Sequence, residues 1–520
     1  MTDDPDSWEP EIAELRRRQA LGRTMGGPEK LERQRQNSRL NVRERIERLV
    51  DTGSFDEIGV LGGRAEYGPD GEMTDFLPAN YVFGRARLDG RLVVVGGDDF
   101  TVRGGANDAS IREKNIQAEA MAHDLRLPIV RLVEGTGGGG SVKTIETIGR
   151  TYVPSNPAWD MVAANMGTVP VVALGLGPVA GLGAARVAAS HYSVLVDGVS
   201  QMFVAGPPVV KRIGQDLTKE ELGGAKIHAK NGAVDDLAGS EDEAFAMAKR
   251  FLSYLPSSID ELPPRAPNDD PVDRADDWLI RAVPKDRRKI YKMRPIIESL
   301  VDSGSFFEIG RHWGRSLITG LARLDGWAVA IAASDPRHSG GAFTADAAAK
   351  LTRFADLAET FHLPVVFLAD IPGFLVGKEA EQTATIRHGV RALSAIHQAS
   401  VPWCSIVIRK AFGVAGGAQI VHNGYRYRYA WPSGDWGSLP VEGGIEAAYK
   451  AEIAEAADPD AHRAAIEERL NQMRSPFRTA EAFAVEDIID PRETRAKLCA
   501  FANNTAHLRK TGRASFWMRP

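Results

Sequence analysis

The sequence predicts an α/β protein in which one sheet-and-helix unit is made twice. Three observations lead there: an internal repeat, apolar runs alternating with helical stretches, and a surplus of glycine at equivalent places. ARLDG occupies 86–90 and again 322–326, a separation of 236 positions. The same separation carries Gly104 and Gly105 onto Gly340 and Gly341, and Leu127 and Pro128 onto Leu363 and Pro364. LVDTGSFDEIG (49–59) returns as LVDSGSFFEIG (300–310), now 251 positions apart, so the first half carries 15 extra residues ahead of the common core. Repeats of this size are two homologous domains, far larger than solenoid units.

Within each half, apolar runs read as buried strands: Leu92–Val95, Ile129–Val133 and Val169–Leu174 in the first, Val365–Leu368 and Cys404–Ile408 in the second. They alternate with helical stretches such as Ser110–Leu125 and Ala345–Phe361, which is α/β patterning. LPSSIDELPPRAPNDDPVD (255–273), with five prolines and five acids, reads as an exposed linker. Eleven Lys or Arg fall between Arg16 and Arg48, a pattern of a solvated helical arm, with attraction of an anionic ligand as the other reading. The expected organisation is an arm over 1–48, a first domain over 49–255, a linker over 256–272 and a second domain over 273–520.

Composition narrows the class. Hydrophobic residues at 43%, charged residues at 26% and a net charge of −5 are those of a globular protein without an overall basic field, so nucleic acid is not an expected partner. Two cysteines, Cys404 and Cys499, exclude a disulfide framework and a cysteine-based metal ribbon, and fit a reducing cytoplasm. Met161–Ala185 holds no charge, yet Asn165, Thr168, two prolines and five glycines argue against a membrane span. Glycine, 52 of 520 residues or about 10% against a usual 7%, lacks the regular spacing of collagen and is expected to work locally, in turns and at ligand contacts.

Each half runs a hydrophobic strand into a Gly/Ala-rich turn and a helix: VPVVALGLGPVAGLGAARVAAS (169–190) and VPWCSIVIRKAFGVAGGAQIV (401–421). Glycine lets backbone N–H groups approach a ligand, and such a turn can stabilise an oxyanion. The alternative is close helix–strand packing alone. GLGPVA (175–180), with Asp197 downstream, fits a dinucleotide fingerprint only as a lone match well inside the domain. EGTGGGGSVK (134–143) follows a strand but lacks the Gly-Lys-Ser/Thr ending of a P-loop, and ADIPGFLVGKEAE (369–381) is its counterpart. No His-Glu-x-x-His pair, Cys/His metal spacing or Gly-x-Ser-x-Gly elbow occurs, so no metal is expected. Glycine turns with few side-chain catalysts point to backbone dipoles acting on an activated substrate, as in stabilising a thioester enolate.

Taken together, LNVRERIERLVDTGSF (40–55), DFTVRGGA (99–106), GPPVVKRIGQDLTKEELGGAKIHAKNGAVD (206–235), DIPGF (370–374), IRHG (386–389), RKAFG (409–413), YAWP (429–432) and IIDPRETR (488–495) resemble the carboxyltransferase (β) subunit of biotin-dependent acyl-CoA carboxylases. The resemblance is to the propionyl-CoA and methylcrotonyl-CoA carboxylase group and spans nearly the whole chain. It implies two crotonase-like (ClpP/crotonase) ββα-superhelix domains. It also implies hexamers of stacked trimers, with active sites between the first domain of one subunit and the second of another. Carboxybiotin would arrive on a partner chain, a biotin carboxylase or biotin carboxyl carrier subunit, and the substrate would be a coenzyme A thioester. By motif position the oxyanion holes fall on Gly181, Leu182 and Gly183 and on Gly413, Val414 and Ala415. Substrate binding falls on Gly104, Gly105, Ala106, Gly137, Gly138, Gly139, Gly416 and Gly417, and a biotin-side loop on Ile371, Pro372, Gly373 and Phe374.

The chain also departs from that group. EGTGGGGSVK stands where SGGARIQEG is usual, and VAGGAQIV follows RKAFG in place of a Gly-Ala-Tyr continuation, which puts the specificity position near Gly417 and leaves a hole at Gly416 and Gly417 as the alternative register. In SGDWGSLPVEGGIEAA (433–448), Asp435 and Glu442 read as loop caps, with new substrate contacts as the alternative. No Met-Lys-Met biotinylation tract occurs, so the chain is expected to supply only the transferase half-reaction. The same resemblance covers a biotin-dependent acyl-CoA decarboxylase running in the opposite direction, and a non-catalytic assembly paralogue.

Overall fold

In each half, the two repeated strings meet as the two sides of one interaction. Asp51 accepts hydrogen bonds from the N–H groups of Asp89 (2.9 Å) and Gly90 (2.8 Å). Asp302 does the same for Asp325 (3.0 Å) and Gly326 (2.8 Å). The turn residues have φ of 49° and 81° in one copy and 48° and 77° in the other. Two left-handed residues in succession are what a two-residue hairpin needs, and Asp-Gly is among the pairs that adopt them readily. The hydroxyls of Ser54 and Ser305 accept from the N–H groups of Arg87 (3.0 Å) and Arg323 (3.1 Å), so the serine of each Gly-Ser-Phe is also used.

The computed structural model describes residues 7–37, 39–106, 111–135, 145–146, 149–151, 153, 155–419, 425 and 427–514. It divides into two units, 1–253 and 254–520. The first begins with helices α1 (Glu9–Gly22), α2 (Pro28–Gln36) and α3 (Val42–Leu49). Its sheet has eight strands: β1 (Asp56–Ile58), β4 (Tyr81–Leu88), β5 (Arg91–Asp98), β6 (Ile129–Gly135), β7 (Val171–Ala180), β8 (Tyr192–Val196) and β10 (Asp236–Ala238) in that order, with β9 (Gln201–Phe203) beside the end of β7. β1, β4 and β5 pair antiparallel; from β5 onward every pairing is parallel. Helices α4 (Arg112–Leu125), α5 (Trp159–Asn165), α6 (Leu182–Ala188) and α7 (Glu241–Ser253) supply principal connections and covers.

The second unit repeats this plan. Its order is β11 (Phe307–Ile309), β12 (Leu317–Leu324), β13 (Trp327–Ser334), β14 (Val365–Ile371), β15 (Trp403–Phe412), β16 (Tyr427–Ala430) and β18 (Asp487–Ile488), with β17 (Asp435–Gly437) on the end of β15. Its helices include α8 (Met293–Leu300), α9 (Ala345–Thr360), α10 (Thr385–Gln398), α11 (Gly413–Gln419) and α12 (Thr494–Thr505). Every strand run read from the sequence lies in this central parallel region. Strands covered on both faces carry near-continuous apolar runs, and those are the runs a sequence reveals most readily.

The 15 extra residues of the first half fall where β2 (Gly63–Tyr67) and β3 (Met73–Pro78) form a separate antiparallel hairpin. The charged N-terminal stretch divides in two. The charged side chains of α1 and α2 are mostly solvent-facing, but α3 is built into the unit by a capping box between Asn41 and Glu44 and by burial of Val42, Arg45, Ile46 and Leu49. The proline-rich segment is seated on the second unit: Ala266 N–H donates to Gly326 O at 3.0 Å, and His362 Nε2 lies 2.7 Å from Ile259 O.

The repeat also places one lysine alike in α4 and α9. Lys350 donates to the carbonyls of Gly310, Trp313 and Leu317 at 2.8, 3.1 and 2.7 Å. Lys114 packs against Gly62, and burial, outweighing the attraction of Glu57, lowers its pKa to about 8. The unfolded chain, with lysine near its ordinary value of about 10.4, therefore binds more protons above pH 8. Stability attributable to Lys114 is expected to rise with pH from about 8 to 10.4, by at most about 1.4 kcal/mol per pH unit. Denaturant unfolding across that window, compared with Lys114→Met, checks the slope, which the variant should lack.

Candidate active site

β5, β6 and β7 run parallel, and the chain leaving each one passes through glycine. After β5, Gly104 and Gly105 both have φ of 65°. A Cβ on Gly105 would meet Glu134 O at 2.7 Å, so this turn lies against the end of β6. After β7, Gly181 has φ 59° and ψ −119°, a conformation that only glycine adopts easily. Its N–H donates to Phe203 O at 3.1 Å and its carbonyl accepts from Ala185 at 3.0 Å. This corrects the expected oxyanion set: the Gly181 donor is spent on β9, and its strained turn instead sets the start of α6. Leu182 and Gly183 follow, and N–H groups in the first turn of a helix have no intrahelical acceptor. Both residues line a cleft with Gly105 and Gly135, closed by Ile111, Ile116, Pro157 and Val162. Ala106 sits behind it, its carbonyl accepting from Asn80 Nδ2 at 2.7 Å. Gly137, Gly138 and Gly139 lie outside the described residues.

Among the polar side chains lining this cleft are Arg186, Asp98, Tyr81 and Glu134, and sequence patterning assigned a role to none of these. Arg186, on α6, is 6% exposed. Its Nη1 donates to Asp98 Oδ1 at 3.3 Å, and its guanidinium stands 5.6 Å from the centre of the Tyr81 ring. Neither its Nε nor its Nη2 donates to a described residue, and the Tyr81 hydroxyl likewise has no partner there. Burial raises the Asp98 carboxyl above its usual range although Arg186 pulls it down, and burial raises the Tyr81 phenol. Glu134 ends β6, held by Arg45 Nη1 at 2.5 Å; Arg45 also reaches Glu241 at 2.6 Å and Leu176 O at 2.7 Å. The sequence signal for Arg186 was there: a lone cation directly after 25 uncharged residues.

The second unit repeats the strand-end arrangement with different chemistry. Gly340 and Gly341 have φ of 61° and 84°, and a Cβ on Gly341 would meet Asp370 O at 2.5 Å. β15 ends at Phe412, and α11 begins at Gly413, φ 62°. Val414 is 62% exposed and Ala415 fully buried. Gly416 packs closely on the end of β15, where a Cβ would meet Ala411 C at 2.6 Å. Gly417 has nothing within 4 Å of a Cβ position. Ile371 ends β14 opposite Ala411 of β15, which brings the Ile371–Phe374 loop and the start of α11 to the same strand ends. Pro372 and Gly373 make the turn, and Gly373 O accepts from Phe343 N–H at 2.9 Å. The Phe374 ring lies 5.9 Å from that of Phe343 and against Gly389 of α10, where a Cβ would come within 2.3 Å.

Two weaker expectations change. Asp435 is not a loop cap but a buried carboxylate on β17, paired with Arg474 through Nε (2.7 Å) and Nη2 (2.6 Å), and Arg474 Nη1 holds Glu442 at 2.7 Å. Both acids are thereby committed to Arg474. The dinucleotide-like GLGPVA lies inside β7 and forms no phosphate-binding turn, and Gly177 is small because the Glu134 carboxylate abuts it.

Two parallel-stranded units of one topology, each with glycine turns at its strand ends, define a tandem scaffold of the kind suited to backbone stabilisation of an oxyanion, and comparison with known proteins specifies it. The carboxyl transferase domain family matches residues 33–517. The propionyl-CoA carboxylase carboxyltransferase subunit of Haloferax mediterranei is 32% identical over 501 residues, covering 95% of this chain and 96% of that protein. The methylmalonyl-CoA carboxyltransferase 12S subunit of Propionibacterium freudenreichii subsp. shermanii is 33% identical over 497 residues, covering 94% and 92%. Among solved structures, the transcarboxylase 12S hexamer with methylmalonyl-coenzyme A and methylmalonic acid bound superposes with a TM-score of 0.87 at 30% identity, over 99% of this chain and 98% of that one. The chain belongs to the carboxyl transferase domain family, with the crotonase fold in both units and the carboxyltransferase activity of biotin-dependent acyl-CoA carboxylases.

Backbone conformation separates the glycines that the site needs from those it tolerates. Gly181→Ala is expected to destabilise the chain by about 1–3 kcal/mol through its positive φ, although space is open there. Gly417→Ala, inside a helix with open space, is expected to be neutral or stabilising by up to about 1 kcal/mol. Urea unfolding of the two variants side by side reads the difference.

Proposed function

We propose that this chain moves a carboxyl group between biotin on a partner carrier chain and the carbon beside the thioester of a short acyl-CoA, by way of a thioester enolate. The observation that carries this reading is the pair of equivalent strand-end turns, one per unit. The first adjoins a cleft lined by Leu182 and Gly183, whose N–H groups have no backbone acceptor among the described residues. Two N–H groups directed at one oxygen stabilise the charge that develops when a thioester enolises. In the second unit, Gly413 and Val414 stand in the equivalent position beside the Ile371–Phe374 loop, and we assign that end to biotin. Bound there, carboxybiotin supplies both the carboxyl group and, once decarboxylated, a base for the substrate proton.

The relatives from Haloferax mediterranei and Propionibacterium freudenreichii are a propionyl-CoA carboxylase subunit and a methylmalonyl-CoA carboxyltransferase subunit, and we extend that size class to this chain. We propose a hexamer, as in the transcarboxylase 12S structure, acting with a separate biotin carboxylase or biotin carrier chain. A reducing cytoplasm suits two buried, unpaired cysteines.

The test is biotin-dependent decarboxylation of methylmalonyl-CoA by the purified full-length chain with free biotin. Turnover that requires biotin is expected; absence of turnover with methylmalonyl-CoA and malonyl-CoA alike would overturn the reading. Leu182→Pro is the sharper probe, because proline at the first helical position removes only an N–H that the helix does not use. Loss of one such donor is expected to lower kcat about 100-fold or more with the fold retained, as judged by circular dichroism.

A further inference from the structure

The cleft of the first unit is lined by an arginine whose carboxylate-matching edge is buried and unspent among the described residues. Nε and Nη2 of arginine point the same way and fit the two oxygens of a carboxylate. This chain uses that edge repeatedly: Arg131 grips Glu119 with Nε at 2.7 Å and Nη2 at 2.8 Å, and Arg474 grips Asp435 in the same manner. Arg186 lines the cleft, and both atoms of its edge are buried and donate to no described residue. The two carboxylates that share the cleft do not fill it. Asp98 meets only Nη1, and Glu134 is held by Arg45. A guanidinium cannot shed its charge, and an unmade hydrogen bond in a buried site carries the full desolvation cost of the group.

The geometry points to Arg186 as a specificity-determining residue: we propose that its Nε/Nη2 edge receives a carboxylate of the acyl group of a CoA thioester bound in this cleft. Asp98 and Tyr81 act as positioning residues, one fixing Nη1 and the other supporting the guanidinium face. Arg112, at the exposed mouth of the same cleft, adds a second positive charge. A neutral carbonyl offers one oxygen and would leave half of the edge unmatched. The recognised carboxylate is either the one being transferred, on the carbon next to the thioester, or one that the acyl chain carries further along. The inference rests on the carboxyltransferase reading above.

Isothermal titration of the full-length chain with propionyl-CoA, methylmalonyl-CoA and succinyl-CoA tests it. The wild type is expected to bind a carboxylated ester about tenfold or more tightly than propionyl-CoA, the gain of a charge-assisted bidentate pair. Arg186→Lys keeps the charge beside Asp98 but loses the fork, and is expected to erase most of that ratio. A preference confined to methylmalonyl-CoA identifies the transferred carboxylate; one shown by succinyl-CoA identifies a distal carboxylate. If Arg186→Lys leaves the ratio unchanged, or the wild type shows no ratio, the assignment to Arg186 is overturned while CoA-ester binding, and the transferase reading with it, stands. If the wild type binds none of the three esters, both fall. Should Arg186→Lys fail to fold, Arg186→Gln combined with Asp98→Asn removes both buried charges together and is read by the same ratio.

Discussion

Asp370, the penultimate residue of β14, accepts from Tyr291 Oη at 2.9 Å, from Arg409 Nη2 at 3.0 Å and from Lys410 N–H at 3.1 Å. It is completely buried. Its equivalent in the first unit, 236 positions earlier, is Glu134, equally buried and held by Arg45. A buried carboxylate is tolerated only when paired and hydrogen-bonded, and removing its partner typically costs several kcal/mol. These two acids therefore fix where the central strands stop. The glycine turns depend on that position: Gly105 lies against the carbonyl of Glu134 and Gly341 against that of Asp370, with no room for a side chain. The N-terminal arm is drawn into the same constraint, since Arg45 reaches Glu134 from α3.

Once the strand ends are set, the two units diverge in what they present there. The first opens a cleft between Gly105 and the start of α6, lined by Arg186, Asp98 and Tyr81, so backbone donors and a side-chain cation share one space. The second places its acid under three donors and its aromatic loop against Gly389, a stiff and largely satisfied arrangement. Equal topology with unequal polar content fits the proposed division, an acyl-CoA thioester at one half and biotin at the other. It is also why the repeat survives in turns and strand runs while the side chains around them differ.

Much of the fold was legible because its signals are local. Asp-Gly between β4 and β5 specifies a hairpin by its own backbone preferences, and Val365–Leu368 or Ile129–Val133 can hardly be anything but a strand buried on both faces. The site was legible only in outline. Gly181 and Gly413 stood out as glycines at strand-to-helix turns, but whether the Gly181 N–H was available depended on β9, a short strand with no pattern of its own. Gly416 and Gly417 are adjacent in sequence and alike in composition, yet one packs on Ala411 and the other faces open space. Arg186 drew no reading from local pattern, and Asp435 read as a loop cap.

By itself the sequence determined that the chain is two copies of one α/β unit, where each copy turns, and that its chemistry would be carried by glycine-rich strand ends. These properties follow from residues close together in the chain, through backbone conformation and apolar periodicity. The tertiary structure alone decided which of those glycines keep a free donor, which acids are already paired, and that a buried arginine shares the cleft with them. Each of these is settled by partners tens or hundreds of positions away, as Phe203 is for Gly181, Arg45 for Glu134 and Asp98 for Arg186, and a hydrogen bond between distant residues leaves no mark in local pattern.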